Sequence, residues 1–142
     1  MTDTRKGYNT ASDIAGFVAN ELAQKPFDID FTIRFMTHEV DRWFKSKFTD
    51  EEFKQATVDE WTTGDKRWDA LLEAIVLYNF QRANKRDLIP KWCYRTRLDK
   101  VFGPREYQYS RYKSGKAEKL LSTPAPFLNK GLLFNYNEMR LL

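Results

Sequence analysis

"TTGDKRWDALLEAIVLYNFQRAN", residues 62–84, decides the fold. Gly64 breaks the chain, and Asp65 stands where a helix N-cap belongs, with a side chain suited to the backbone N–H groups that a first turn leaves unpaired. Trp68, Leu71, Leu72, Ile75, Val76 and Phe80 then recur at steps of three and four, which marks one helical face. Ala70, Ala74 and Leu77 widen that face until it covers most of the circumference. A helix apolar on so many sides has to be surrounded, so the spacing predicts the central helix of a helical group.

The neighbours are legible upstream. Residues 1–9 are polar and expected to be flexible. In "NTASDIAGFVANELAQKP", residues 9–26, Thr10 and Asp13 make a capping box, and Ile14, Phe17, Val18 and Leu22 share one face before Pro26 ends the helix. "DIDFTIRFMTHEVDRWFKSKF", residues 28–48, places Ile33, Met36, Val40, Trp43 and Phe44 at helical spacing, with Phe31, Phe35 and Phe48 broadening the stripe. "TDEE", residues 49–52, is a second capping box, opening a helix that runs through Phe53, Ala56 and Val58 toward Trp61. Residues 10–84 therefore read as four helices.

After residue 84 the pattern changes. "LIPKWCYRTRLDKVFGPREYQYSRYKSGKAEKLL", residues 88–121, is dense in rings and cations and holds no sustained period. Residues 88–112 read as loops with one short helix, and "SGKAEKLLS", residues 114–122, as another. In residues 122–134 the two prolines, Pro124 and Pro126, are expected to hold an extended approach, and Asn129-Lys130-Gly131 to reverse the chain. Leu132–Phe134, strand-like or simply buried, would then fold back onto the face carrying Trp68, Leu72 and Ile75. Asn135 and Glu138 suit a final turn of helix. Phe127, Leu132, Leu133, Phe134, Tyr136 and Met139 make this end too apolar for a solvated tail. The expected architecture is one mainly α domain over residues 1–142. It comprises four or more helices and a basic, loop-rich half over 85–142, and it leaves room for a short strand pair.

Composition agrees with a packed fold. A chain of 142 residues with 42% hydrophobic content, 11 Phe, 7 Tyr and 4 Trp can bury a substantial core. No apolar run approaches the length that spans a bilayer, and the opening "MTDTRKGYNTASD" has no apolar signal core, so a cytoplasmic location is expected. The single cysteine, Cys93, excludes an internal disulfide and suits a reducing compartment. Charge is divided unevenly. Residues 1–80 hold 10 Lys/Arg against 15 Asp/Glu, a balance of −5, whereas residues 81–142 hold 14 against 5, a balance of +9. The basic half suits nucleic acid, an acidic protein surface, or its own acidic half.

Chemistry is harder to find. One histidine and one cysteine cannot supply a zinc set, and the six glycines are too scattered for a phosphate-cradling loop. Cys93 and His38 would suit a nucleophile and base only if the fold brought them together; otherwise they are a buried thiol and a surface imidazole. Asp28 with Asp30, and Asp50 with Glu51 and Glu52, resemble acid/base pairs, but acidic residues also gather at helix N-termini. No catalytic, cofactor-binding or metal-ligating residue is assigned. The candidate contact residues are Trp92, Tyr94, Arg95, Arg97, Arg105, Tyr107, Tyr109, Arg111, Tyr112 and Lys113, with Lys100 and Phe102 among them in the chain. Rings interleaved with cations suit a protein interface, stacking on nucleic-acid bases, or the core of a loop-rich half.

"TGDKRWDALLEAIVLYNFQRAN" followed by "IPKW", together with the closing "TPAPFLNKGLLFNYNEM", resembles a family of small, largely uncharacterised bacterial proteins. In that family a T-G-D-x-R-W-D-A-L-L helix precedes a P-x-W segment and a P-x-x-F-x-x-x-G motif. The matching positions are Gly64, Asp65, Arg67, Trp68, Asp69, Leu71 and Leu72, then Pro90 and Trp92, then Pro124, Phe127 and Gly131. Some members follow a helix-turn-helix domain or are encoded beside nucleotidyltransferase-like toxins. The residues read as a non-enzymatic bacterial or phage protein acting by protein–protein contact, and the resemblance implies an antitoxin-like or regulatory role, with a toxin as the implied partner. No helix-turn-helix precedes the motif here. The alternative is nucleic-acid binding through segment 91–119.

Overall fold

The structure, a computed structural model, describes residues 7–104 and 123–134. Among them the chain is mainly helical: α1 (Ala11–Leu22), α2 (Ile29–Lys45), α3 (Asp50–Thr57) and α4 (Lys66–Arg82) come first. Two 3-10 turns, Arg86–Leu88 and Lys91–Tyr94, and a single turn of helix, α5 (Ala125–Leu128), follow. Each of the four main helices starts where a side chain caps it: Thr10, Asp28, Thr49 and Asp65 all accept from first-turn N–H groups. Thr10 and Thr49 complete reciprocal capping boxes with Asp13 and Glu52. Asp28 and Glu52 thus serve helix starts, and Asp50 pairs with Lys85 at 3.6 Å.

α4 is the central helix, with 11 of its 17 residues buried, and α1, α2, α5 and both 3-10 turns pack on it. Ile14, Ile33, Met36, Leu71, Leu72 and Ile75 are fully buried, and the buried residues from Tyr8 to Phe134 form one continuous cluster. Phe53 joins three helices, its ring 4.8 Å from Phe44 and 5.2 Å from Phe80. Phe31, in the first turn of α2, stays 42% exposed.

Three details depart from expectation. Residues 7–9 do not fray: Tyr8 is buried against Phe48, Trp43 Nε1 donates to Asn9 O at 2.8 Å, and Arg42 donates to Gly7 O. α3 stops at Thr57 instead of reaching Trp61. The Thr57 carbonyl, which a longer helix would offer to residue 61, accepts instead from Trp92 Nε1 at 2.9 Å. Pro124 is extended, as the N-cap of α5, but Pro126 does not continue that approach and lies in the helix's first turn. The ring's fixed φ suits a first helical turn, where a missing N–H leaves nothing unpaired.

The return of residues 123–134 onto the helices is observed. Phe127, Leu132 and Phe134 are fully buried, and the Phe127 ring lies 5.7 Å from Tyr78 of α4. The reversal ends at Gly131, whose φ of +88° a side chain would resist and whose Cβ would meet Leu98 O at 3.2 Å. Leu98 N–H donates to Lys130 O, Phe102 N–H to Gly131 O, and Leu133 N–H to Phe102 O, at 2.9, 2.9 and 3.0 Å. No strand forms among the described residues; Phe102 and Leu132 make one isolated parallel bridge. The expected short helix at 114–122 and final turn at Asn135–Glu138 lie outside the described residues. No described helix is long and apolar enough to cross a membrane.

Candidate functional site

Glu73 sits in the middle of α4, in a run from Ala70 to Leu77 that is otherwise apolar, and it is fully buried. A lone carboxylate there would be costly, so its partners matter. Arg95 Nε donates to Oε2 at 2.8 Å and Lys130 Nζ to Oε1 at 2.9 Å. Thr96 gives both its backbone N–H, at 3.0 Å to Oε1, and its hydroxyl, at 2.7 Å to Oε2. Each carboxylate oxygen therefore takes two hydrogen bonds, and two remote segments of chain, 95–96 and 130, meet on one side chain of α4. Arg95 also donates to Trp61 O at 2.9 Å, with its guanidinium 4.4 Å from the centre of the Trp61 ring. Trp92 packs edge-on against the same indole, 5.1 Å between ring centres.

This cluster reorganises the set of contact residues expected from sequence. Trp92 and Arg95 are tied into the protein's own interior, through Thr57 and Glu73. Tyr94 and Arg97, next to them in sequence, face the other way. Tyr94 is 63% exposed, and Arg97 is exposed and forms no ion pair or hydrogen bond among the described residues. Arg105, Tyr107, Tyr109, Arg111, Tyr112 and Lys113 lie outside the described residues.

Tyr94 and Arg97 edge a groove of about 300 Å³ over the C-terminal end of α4. Leu77, Ala125 and Pro126 give it apolar walls, and Gln81, Thr96, Asn129 and Lys130 supply polar atoms. The groove exists because the Glu73 cluster draws the 95–97 loop and the turn after α5 toward the same helix. Glu73, Thr96 and Lys130 escaped the sequence reading as a site. The signal was present in one form: a single charge inside eight consecutive core positions.

The other chemical candidates resolve into structure. Cys93 is buried, and burial pushes its thiol well above its ordinary range, with Lys130 acting weakly in the opposite direction. A thiol held neutral is a poor nucleophile. His38 is exposed on α2. The T-G-D-x-R-W-D motif is a helix-start assembly: Asp65 caps α4 at Arg67 N–H, and Asp69 accepts from Thr62 Oγ1, Thr63 N and Thr63 Oγ1 at 2.7, 2.7 and 2.6 Å. The Arg67 side chain binds Asp65 at 2.8 Å and lies over the Phe102 ring. Among the described residues no cluster of His, Cys, Asp and Glu suits a metal ion. No protein-family model, curated protein or solved structure matches this chain.

Proposed function

We propose that the protein works without catalysis, in the cytoplasm, by contact with another protein, and that the groove edged by Tyr94 and Arg97 is where the contact is made. The observation that carries this reading is the exposure of Tyr94, 63%, beside an Arg97 with no ion pair or hydrogen bond among the described residues. Tyr and Arg are the residues that anchor protein interfaces, and an apolar floor with a polar rim is how such contacts are built. The resemblance of the α4 and α5 motifs to proteins encoded beside toxins makes the specific form an antitoxin-like or regulatory partner. The buried thiol of Cys93 supports a reducing compartment.

A photo-crosslinking amino acid in place of Tyr94, in the producing cell, tests the reading. The expected product is one discrete protein adduct that weakens when Arg97→Ala is added. A nucleic-acid adduct, with in vitro binding that falls steeply as salt rises, overturns it in favour of the nucleic-acid alternative.

A further inference from the structure

The groove has a charged floor, and its charge is not balanced among the described residues. Glu73 carries one negative charge against the two positive charges of Arg95 and Lys130. Lys130 has a side chain only 6% exposed, yet it lines the groove. Of its three ammonium protons, one goes to Glu73 Oε1 at 2.9 Å and one to Thr96 O at 3.2 Å. The third meets no acceptor among the described residues. Arg97 adds a second cation at the edge, without an ion pair among the described residues, and none of the groove's described lining residues is a carboxylate.

We infer that this groove seats an acidic side chain of the protein partner, an Asp or Glu whose carboxylate meets Lys130 and Arg97 while an adjacent apolar side chain rests on Leu77 and Pro126. A buried ammonium with a donor to spare is a strong attractor for a carboxylate, because a charge-assisted hydrogen bond in a partly dry site gains more than one in water. Volume selects the occupant: about 300 Å³ is the low end for a whole small-molecule ligand but holds one or two side chains. The described groove offers one ring and two cations, a single anchor point rather than the extended basic track that a phosphodiester chain requires. Glu73 is a positioning residue here: it holds Lys130 at the floor and does not touch the partner.

The inference rests on the interface reading, but the two fail separately. Crosslinking from residue 94 reports the class of partner, whereas a small-molecule titration reports whether the anion seat exists. The probe is N-acetylglutamate N-methylamide, added to isotopically labelled full-length protein and followed by backbone amide NMR. Saturable shifts confined to Thr96, Arg97, Asn129 and Lys130 are expected in the millimolar range, with N-acetylglutamine N-methylamide inert. Arg97→Ala, at an exposed position with no partner among the described residues, is expected to weaken binding about tenfold with the spectrum otherwise intact. No saturable shift, an equal response to the glutamine probe, or tighter saturation by inorganic phosphate or adenosine monophosphate overturns the inference.

Discussion

In the α1–α4 group, Ile14, Val18, Ile33, Met36, Leu71 and Leu72 are buried by apolar packing, while residues 95–102 and 123–134 add directed polar contacts to the burial of Phe127, Leu132 and Phe134 in the same core. Apolar burial is roughly proportional to area and tolerant of small shifts, so a lesion in it is shared among many neighbours. The Glu73 cluster depends on geometry: two remote segments, 95–96 and 130, converge on one carboxylate of α4, and removing it strands what it compensated. The two halves should therefore fail in different ways.

The sharpest break is Glu73→Ala. It leaves the Lys130 ammonium buried with Thr96 O as its one remaining acceptor among the described residues. Removing one partner of a buried ion pair costs about 3–5 kcal/mol, which corresponds to a fall in melting temperature of roughly 10 °C or more in a chain of this size. Hydrogen exchange should locate the damage. The amides of Thr96, Leu98, Phe102 and Leu133 are expected to lose protection before those of α1 and α2. Uniform loss across both regions would show that the halves are one cooperative unit and that the contrast is only descriptive.

A smaller effect is expected from Gly131→Ala. The substitution places a Cβ 3.2 Å from Leu98 O at a φ of +88°, and it does so without touching any ion pair. The expected cost is about 1–2 kcal/mol, from left-handed backbone strain and from displacement of the Leu98 strand of contacts. Thermal melts compared with Glu73→Ala separate the backbone clasp from the ionic one. A cost equal to that of Glu73→Ala would make the clasp the main fastening.

Sequence reading succeeded where structure is local. Thr10, Thr49 and Asp65 cap helices because a cap is decided by residues two or three positions apart, and the α4 face is visible in its own spacing. Reading failed where partners are remote. Glu73 meets Arg95, Thr96 and Lys130 from 22, 23 and 57 positions away, and nothing local distinguishes its carboxylate from a solvated one. The same limit explains the contact residues. Trp92, Tyr94, Arg95 and Arg97 look alike in composition, and only the fold ties the first and third to partners within the protein, Thr57 and Glu73. Pro126 misled for a different reason: proline suits both an extended approach and a first helical turn, and the choice was made by Phe127 finding its place against Tyr78.

The mildest test lies at the start of α4, inside the helical group but polar, where the contrast between halves can be refined. Arg67 holds the Asp65 carboxyl below its ordinary range, chiefly through their side-chain hydrogen bond, and partial burial opposes this only in part. A carboxyl whose folded value is depressed binds fewer protons folded than unfolded between the two values. Its contribution is therefore present above the unfolded value of 3.8 and is lost as pH falls through the folded one. Arg67 is 57% exposed on its side chain, so solvent screens the pair and the ionic part is worth under about 1 kcal/mol. Asp65→Asn keeps the capping acceptor but removes the charge. The difference in melting temperature between wild type and Asp65→Asn should be a few degrees at about pH 6 and should narrow steadily as pH falls below 3.8 toward and through the depressed folded value. Because both proteins share every other carboxyl group, that closing difference isolates Asp65. A difference that stays constant with pH would mean that the carboxylate acts as a cap alone, and that the guanidinium contributes through its contact with Phe102 rather than through its charge.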